Sequence, residues 1–336
     1  MVDYSSRLRR LREGMKSAGL DCALLSSSND IYYYTGYRIT EQGSVFLKVG
    51  MGSRPVMYVS PLENGASDIR TADVKPVRKL SDMALPKVVG FDEHATSAAF
   101  FTKLKNLSTL KPAAGIFKGP RAVKDSHEIA QMRKALDITK RALDRLESEG
   151  KTEAQVAKEA DIIFRESGAD NAFDTIVASG ENSAFVHHRP DDRKIKRKDL
   201  VVIDLGARLN GYCSDISRTF CQSPGRREKE LFENIKTIQD ELIGSIKPGT
   251  KFSDVEKLYE RLMKKSGYKV MHGFGHGVGL NVHERIEGKL KEGMVITVEP
   301  GAYLKGFGGC RIEDMVLVKK KPEILSKRLS GFFNGF

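Results

Sequence analysis

An internal duplication is the feature of this sequence that most restricts its fold. The segment DLGARLNGY, residues 204–212, recurs 95 positions later as EPGAYLKGF, residues 299–307. Upstream, the Ser-Gly pair at 167–168 recurs 99 positions later at 266–267, and each pair ends a predicted helix. Two matches in the same chain order indicate a duplicated unit of a helix followed by a β-hairpin. The sequence therefore predicts two similar halves related by a pseudo-two-fold axis.

The duplication aligns acidic residues. Asp204 in the first copy falls on Glu299 in the second, and each ends an apolar strand that leads into a glycine-containing turn. The strand that follows carries a further carboxylate, Asp215 in the first copy and Glu313 in the second, and these two are also predicted to be duplicate positions. Four facing carboxylates would be driven to take up protons unless cations compensate them. Two divalent ions, as in two-metal hydrolases, would provide that compensation.

Each carboxylate also has an ordinary structural interpretation. Asp204 and Asp215 would be solvated turn residues, Glu299 a surface acid before a Pro-Gly turn, and Glu313 an acid of an edge strand. However, Asp204 interrupts the apolar strand LVVIDLGA, where a buried carboxylate requires a cation. The metal interpretation is therefore favoured for the set.

A nitrogen ligand is available in the glycine-rich run HGFGHGVGLNVHE, residues 272–284. Its glycines allow the backbone to approach a metal ion or a substrate closely. The run offers three imidazoles, at His272, His276 and His283. One of the three would complete the metal site.

Composition favours a soluble protein of two domains. The chain has 336 residues, 40% of them apolar and 30% charged. No apolar run approaches the ~20 residues of a membrane span, and the first twenty residues are amphipathic, so a cytoplasmic location is expected. The four cysteines are scattered and are expected to be reduced.

The net charge of +12 admits nucleic acid or another acidic partner. Its densest cluster is KIKRK, residues 194–198, but basic residues are spread along the whole chain. No nucleic-acid-binding module accompanies them. A solvated basic surface is favoured over a nucleic-acid partner.

Residues 1–118 predict an α/β domain of alternating short strands and helices. Strands are expected at 21–27, 44–50, 55–60 and 87–93, and helices at 4–18, after Pro61 and at 96–107. The segment 111–120 contains two prolines and two glycines, which places the predicted domain boundary near 119.

Residues 119–336 predict an α+β domain. A first, long helix is expected to begin with a capping box of Asp125 and Glu128. Three more helices are expected at 153–166, 227–245 and 253–265, the last opened by Ser253 with Glu256. Strands are expected at 173–179, 200–207, 217–222, 294–303 and 311–319.

The motifs together resemble one enzyme family. GHGVGLNVHE, VEPGAY and RIED, with VIDLGA and SDISRTF upstream, resemble the metal-ligand motifs of the pita-bread metallopeptidases. That family includes methionine aminopeptidases, aminopeptidase P, prolidase and the metal-free creatinase. The resemblance spans about 119–319 and implies a pita-bread catalytic domain. The segment LRRLREGMKSAGLDCALLSSSNDIYYYTGY resembles the creatinase-like amino-terminal domain, which methionine aminopeptidases lack.

The resemblance implies two divalent metal ions per subunit, manganese or cobalt before zinc or iron. It implies these ligands: Asp204, Asp215, His276, Glu299 and Glu313. Because His276 has no duplicate, the two ions are expected to bind with unequal affinity. Glu299 is expected to take a proton from the attacking water and pass it to the leaving nitrogen.

The resemblance also implies roles around the ions. His187 and His283 are expected to stabilise the tetrahedral intermediate, and His188 to be a bystander. Arg311 lies two residues before Glu313 in a strand and therefore faces the same side, where it would contact substrate or balance the carboxylates. Further substrate-binding candidates are His272 and Arg285.

The implied function is hydrolysis of the Xaa-Pro bond of dipeptides by a hydroxide that bridges the two ions. Chain length and the short amino-terminal domain favour an Xaa-Pro dipeptidase. Aminopeptidase P, acting on longer Xaa-Pro peptides, stays open because the loop 284–292 is short and lacks the proline that usually follows the His-Glu pair. A creatinase-like amidinohydrolase is disfavoured because all five ligand positions are filled. A non-catalytic binding protein is a further alternative, and the resemblance implies a homodimer.

Overall fold

The computed structural model describes residues 2–39 and 44–326, so residues 327–336 of the predicted catalytic domain lie outside the described part. The chain forms two compact units, Met1–Arg121 and Ala122–Phe336. The boundary between residues 118 and 119 stays a prediction. The proline- and glycine-containing segment near it forms a strand and a helix, with Pro120 in the last turn of that helix.

The first unit contains one mixed sheet of six strands, with helices in the connections. Its strands are β1 Cys22–Leu25, β2 Val45–Gly50, β3 Val56–Val59, β4 Asp73–Pro76, β5 Val88–Phe91 and β6 Thr109–Pro112, in the spatial order β4-β3-β2-β1-β5-β6. Its helices are α1 Tyr4–Ser17, α2 Ser28–Thr35, α3 Ala98–Lys105 and α4 Ala114–Ala122. This arrangement confirms the predicted α/β class.

The four predicted strands of this unit are confirmed, and the edge strands β4 and β6 were missed. Both edge strands are mostly exposed and contain a lysine and a proline, so they lack the apolar alternation that identifies a strand. The helix predicted after Pro61 is only a short 3-10 helix, Asn64–Asp68. The fold class thus followed from the buried strands alone.

Four long helices of the second unit agree with the predicted ranges: α5 Ser126–Arg145, α6 Glu153–Glu166, α7 Arg226–Ser245 and α8 Phe252–Lys265. The capping box of α5 is confirmed, since Asp125 accepts from the Glu128 amide and Glu128 accepts from the Asp125 amide. Ser253 does not open α8, because the helix already begins at Phe252. The Phe252 amide donates instead to the Gly288 carbonyl, so the backbone of the loop 284–292, which follows α8 in the sequence, satisfies it.

The strands of the second unit are short and form four small sheets. They are β7 Asp170–Asn171, β8 Ile176–Ser179, β9 Val201–Leu205, β10 Ala207–Leu209, β11 Tyr212–Cys213, β12 Ile216–Phe220, β13 Val295–Val298, β14 Gly301–Leu304, β15 Gly308–Arg311, β16 Asp314–Leu317 and β17 Glu323–Ile324. The predicted strands at 294–303 and 311–319 each divide into two strands, and the breaks fall next to Glu299 and Glu313.

The predicted duplication of helix and hairpin is present. Both α6 and α8 have 14 residues and end at a serine C-cap that is followed by a glycine with positive φ, 71° at Gly168 and 76° at Gly267. Helices α5 and α6 pack on β8 and β10 in one half. Helices α7 and α8 share one apolar core with β13 and β16 in the other half. The pseudo-two-fold fold class is confirmed.

The two hairpins are joined through β12. The Glu313 amide donates to the Ser217 carbonyl at 3.0 Å, and the Arg311 amide donates to the Thr219 hydroxyl at 3.0 Å. Arg218 adds a buried ion pair with Asp314 at 2.6 Å. These contacts bring the acidic ends of both hairpins together.

Strand pairing shows which positions correspond. In the first hairpin Asp204 lies opposite Ser217, and the same register places Asp215 opposite Gly206. In the second hairpin the register that runs through β13, β14, β15 and β16 places Glu299 opposite Glu313. The position that corresponds to Glu313 is therefore Ser217.

By the same register, Arg311 lies opposite Gly301 and is the counterpart of Asp215. The prediction that Asp215 and Glu313 are duplicate positions is therefore wrong. Equivalence was inferred from the order of the acids along the chain, whereas the acids occupy different rungs of the two hairpins. The fold is duplicated, but the positions of two of its acids are not.

The surface agrees with the expected solvated charge. In the basic run 194–198 only Ile195 is buried. Over residues 2–39 and 44–326, every helix is too short or too polar to cross a membrane.

Replacing Asp125 by alanine removes the acceptor of the Glu128 amide and half of the capping box. We expect a loss of about 1 kcal/mol in the free energy of unfolding, measured by urea denaturation. Asp144→Ala removes the same charge from an exposed position of α5 and should cost less than about 0.5 kcal/mol. Equal losses in the two variants would contradict the capping role.

Candidate metal centre

An open cleft of about 580 Å³ lies where the two hairpins meet. Nine of the ten predicted site residues line it: His187, Asp204, Asp215, His272, His276, His283, Glu299, Arg311 and Glu313. The tenth, Arg285, is not among the lining residues. Its guanidinium is exposed and pairs with Glu287 at 3.1 Å. The structure therefore brings together the predicted ligands and the three predicted pocket histidines.

His276 is positioned by an extended segment that runs beside β13. The Thr297 amide donates to the His276 carbonyl, and the Glu299 amide donates to the Phe274 carbonyl, both at 2.8 Å. A Cβ at Gly275 would lie 2.0 Å from the Thr297 carbonyl oxygen, so only glycine permits this approach. The pairing sets His276 Nε2 at 3.2 Å from Glu299 Oε1.

Three of the predicted ligands already form a compact group. Ligand atoms of Asp215, His276 and Glu313 all lie within 4.8 Å of one another. The Asp215 and Glu313 side chains are buried, and His276 Nε2 lies 3.6 Å from Asp215 Oδ2. Glu299 joins the group through its contact with His276.

Asp204 is connected to the group through Arg311. The Arg311 guanidinium donates to Asp204 Oδ2 at 2.6 Å and to the Ser217 hydroxyl at 2.8 Å. The same hydroxyl donates to Glu313 Oε2 at 2.8 Å. Arg311 therefore neutralises part of the carboxylate charge from a buried position.

The crowding raises the proton affinity of the acids. Burial raises the pKa of Asp215 well above its usual range, and the neighbouring Glu313 and Asp204 charges raise it further. Burial and the nearby Glu299 and Asp204 charges have the same effect on the pKa of Glu313. Burial also raises the pKa of Asp204, although Arg311 opposes the shift.

Glu299 and His276 shift in the opposite sense. Burial raises the pKa of Glu299, but the hydrogen bond and charge of His276 outweigh burial and leave that pKa lowered. Burial lowers the pKa of His276, and the contact with Glu299 more than reverses the shift. Among the four predicted carboxylate ligands, Glu299 is therefore the one whose pKa is lowered.

The donor set fits divalent cations. Asp204 Oδ1 is buried and accepts no hydrogen bond, so one carboxylate oxygen of the cleft lacks a partner. Burial and the neighbouring carboxylate charges raise the pKa of both Asp215 and Glu313, and a divalent cation would compensate that concentration of negative charge. Carboxylate oxygens with one imidazole suit manganese, cobalt, iron or zinc.

The other predicted histidines occupy the wall of the cleft. The rings of His283 and His276 meet edge to face with centroids 4.2 Å apart. His272 Nε2 lies 2.8 Å from the Tyr303 hydroxyl. Burial lowers the pKa of both His272 and His283, which favours neutral imidazoles. His187 is exposed on the loop that follows β8 and faces the same cleft.

A buried ion pair holds the loop that carries His283. Lys124 donates to Glu284 Oε2 at 3.0 Å, and the Lys124 side chain is 2% exposed. The Glu284 amide and carbonyl pair with the Gly277 backbone. His283 is therefore fixed by the residue that follows it.

Three polar residues at the site were not predicted. Tyr303 accepts from Arg311 at 2.9 Å, Ser217 bridges Arg311 and Glu313, and Thr297 donates to Glu299 at 3.2 Å. Ser217 lies in β12 and Thr297 in β13, and each is two residues from a predicted ligand at the end of its strand. The two-residue period of a strand would have identified both of them.

Comparison with known proteins identifies the family. Residues 130–320 match the model of metallopeptidase family M24, and residues 7–123 match the creatinase/prolidase N-terminal domain. This chain belongs to metallopeptidase family M24. It is a metallopeptidase with a creatinase-type amino-terminal domain and a pita-bread catalytic domain, as the sequence motifs predicted.

Relatives of this M24 peptidase are similar over nearly their whole length. The Xaa-Pro dipeptidase of Pyrococcus horikoshii is 34% identical and aligns over 97% of this chain and 97% of its own. The crystal structure of the prolidase from Pyrococcus horikoshii OT3 superposes with a TM-score of 0.88 at 33% identity, covering 96% and 98% of the two chains. The X-Pro aminopeptidase of Thermotoga maritima superposes with a TM-score of 0.82 at 26% identity, covering 96% and 99%.

Adding manganese or cobalt to the metal-free protein is expected to raise the midpoint of thermal unfolding. A ligand that binds only the folded state stabilises that state. The rise should shrink as the pH falls, because protons compete for Asp215 and Glu313, whose pKa values are raised. Scanning calorimetry with a chelator as reference measures the effect.

Asp215→Asn should lose most of this rise, whereas Asp254→Asn, at an exposed position of α8, should retain it. A midpoint at neutral pH that does not change on adding metal would contradict the metal centre.

Proposed function

We propose that this M24 peptidase is a dinuclear Xaa-Pro dipeptidase. The observation that carries the proposal is the cluster of Asp215, His276 and Glu313, with Asp204 and Glu299 beside it, in an open cleft. The full-length similarity to proteins named Xaa-Pro dipeptidase and prolidase supports the substrate class.

Two divalent ions held by these five residues would polarise the peptide carbonyl and lower the pKa of the attacking water. Glu299 would accept the proton of that water and deliver it to the leaving nitrogen. The Thr297 hydroxyl donates to the Glu299 carboxylate at 3.2 Å, which supports this role because it holds the carboxylate in one orientation.

His187 and His283 would donate hydrogen bonds to the charge that develops on the scissile group. The lowered pKa of His283 supports a neutral imidazole that offers one N–H. Arg311 already donates to Asp204, Ser217 and Tyr303, so we propose that it balances charge and orders the cleft. His272 would line the substrate side. Binding of a substrate carboxylate by Arg285 stays a prediction, because its guanidinium pairs with Glu287.

The metal ions are proposed to be manganese or cobalt, bound with unequal affinity. Only the site next to His276 includes a nitrogen ligand, and Arg311 occupies the hairpin position equivalent to Asp215. Unequal surroundings should give unequal affinities. We further propose a homodimer, as the family resemblance implies, and a location in the cytoplasm.

Aminopeptidase P activity is the second candidate. The similarity to an X-Pro aminopeptidase favours it. The loop 284–292 directly follows the cleft residue His283. The backbone of its Lys289 forms an isolated antiparallel β-bridge with Lys251, the residue before α8. A non-catalytic protein on this scaffold would bind no metal and cleave neither substrate.

The decisive measurement compares a Xaa-Pro dipeptide with a tripeptide of the same first two residues, using metal-loaded protein. We expect kcat/KM to be at least about tenfold higher for the dipeptide, a difference of about 1.4 kcal/mol. A Xaa-Ala dipeptide is the matched control for proline selectivity. Faster cleavage of the tripeptide would replace the proposal with aminopeptidase P, and no cleavage of either peptide would refute both.

Glu299→Gln is expected to lower kcat by roughly 10²–10⁴-fold at saturating metal, because the amide cannot accept the proton. Glu292→Gln, an exposed residue of the nearby loop, should leave kcat unchanged. Metal content is measured in both variants, because Glu299 is also a proposed ligand. A kcat close to that of the wild type in fully loaded Glu299→Gln would remove Glu299 as the proton acceptor.

A further inference from the structure

One more buried carboxylate lies near the cleft, and it takes no part in the proposed chemistry. Glu153 is the first residue of α6, and its side chain is completely buried. Within residues 2–39 and 44–326, its carboxylate accepts hydrogen bonds from the stretch 179–191. The donors are the Ser179 amide and hydroxyl at 2.6 Å each, Asn182 Nδ2 at 3.1 Å, His188 Nε2 at 2.7 Å and the Asp191 amide at 3.4 Å.

Glu153, His188 and Asp191 are close enough to one another to hold a cation. The hydrogen bonds argue against that use. Both Glu153 oxygens already accept from protein donors, and the amino-terminal end of α6 further stabilises the negative charge. A cation would have to replace the hydrogen bonds that Asn182 and His188 donate to Glu153. The cluster is therefore a hydrogen-bonded anchor for the loop.

The anchored loop carries His187. On one side of His187, the Val186 carbonyl accepts from Arg311 at 3.2 Å. On the other side, His188 is held by Glu153. His187 itself is exposed in the cleft. Its two neighbours thus fix its backbone, one from the metal side of the cleft and one from α6.

We propose that Glu153 and His188 are positioning residues that hold His187 against the scissile group. The proposal rests on the proposed function, in which His187 donates to the developing charge. A misplacement of about 1 Å in a catalytic group can cost roughly 10²-fold in rate. Releasing His188 should therefore lower kcat more than it raises KM, because the contact with His187 strengthens in the transition state.

The test compares His188→Ala with His188→Gln. Glutamine keeps an N–H donor at the reach of Nε2, so it can still bond Glu153, whereas alanine cannot. We expect His188→Ala to lower kcat at least about tenfold with KM changed less than about threefold, and His188→Gln to recover most of kcat.

Val156→Ala is the matched control, because Val156 is an apolar residue buried on α6 one turn beyond Glu153. It should lower the unfolding midpoint and leave kcat unchanged. An equal kcat loss in Val156→Ala and His188→Ala would mean that the effect is general destabilisation, and would overturn the proposal.

A double-mutant cycle separates positioning from an independent role. In a His187→Ala background, adding His188→Ala should cause no further loss of kcat, because the positioned group is already absent. Losses that multiply would show that His188 does not act through His187.

Hydrogen exchange of the Ser179 and Asp191 amides in metal-free protein gives a readout without activity. These amides donate to Glu153, so they should exchange faster in Glu153→Gln and in His188→Ala than in Val156→Ala. Unchanged exchange would overturn the anchoring itself. If the wild type cleaves no Xaa-Pro peptide, the proposed function fails, and the exchange result still decides whether the anchor exists.

Discussion

The rest of this structure depends on the repulsion among four carboxylates that two hairpins bring to one cleft. Asp215 and Glu313 are buried, and burial together with the neighbouring carboxylate charges raises the pKa of each. Burying such charges is unfavourable unless cations compensate them. His276 and Arg311 supply part of that compensation, and divalent ions would supply the remainder. The close backbone approach at Gly275 and the pairing of β12 with the second hairpin both serve this arrangement.

The fold and the residues of the cleft could be predicted because short sequence patterns indicate them. Apolar strands ending in Asp204 or Glu299, and helices ending in Ser-Gly, predicted the duplicated architecture that the structure contains. The register of the hairpins could not be predicted in the same way. The order of acids along the chain suggested that Asp215 matches Glu313, but backbone pairing matches Glu313 with Ser217. Which residues of the two hairpins correspond depends on the backbone hydrogen bonds between their strands, and the order of the acids along the chain does not reveal those bonds.

Residues that act through hydrogen bonds were also missed. Tyr303 and Glu153 have no motif of their own, and their importance comes from partners that are far away in the sequence. Glu153 is an acid in the first turn of α6, yet it accepts from residues up to 38 positions away. The exposed edge strands β4 and β6 were missed for a related reason. They are strands because they pair with β3 and β5, and they have no apolar pattern of their own.

The position of Arg311 shows how the two duplicated halves differ. If the two halves descend from one ancestral unit, the rung that holds Asp215 in one half came to hold a guanidinium in the other. A hybrid of two first halves would keep four acids and have no fixed cation among them. With Arg311 on that rung, the polypeptide itself supplies a permanent positive charge beside Asp204, so part of the electrostatic balance of the cleft is encoded in the sequence.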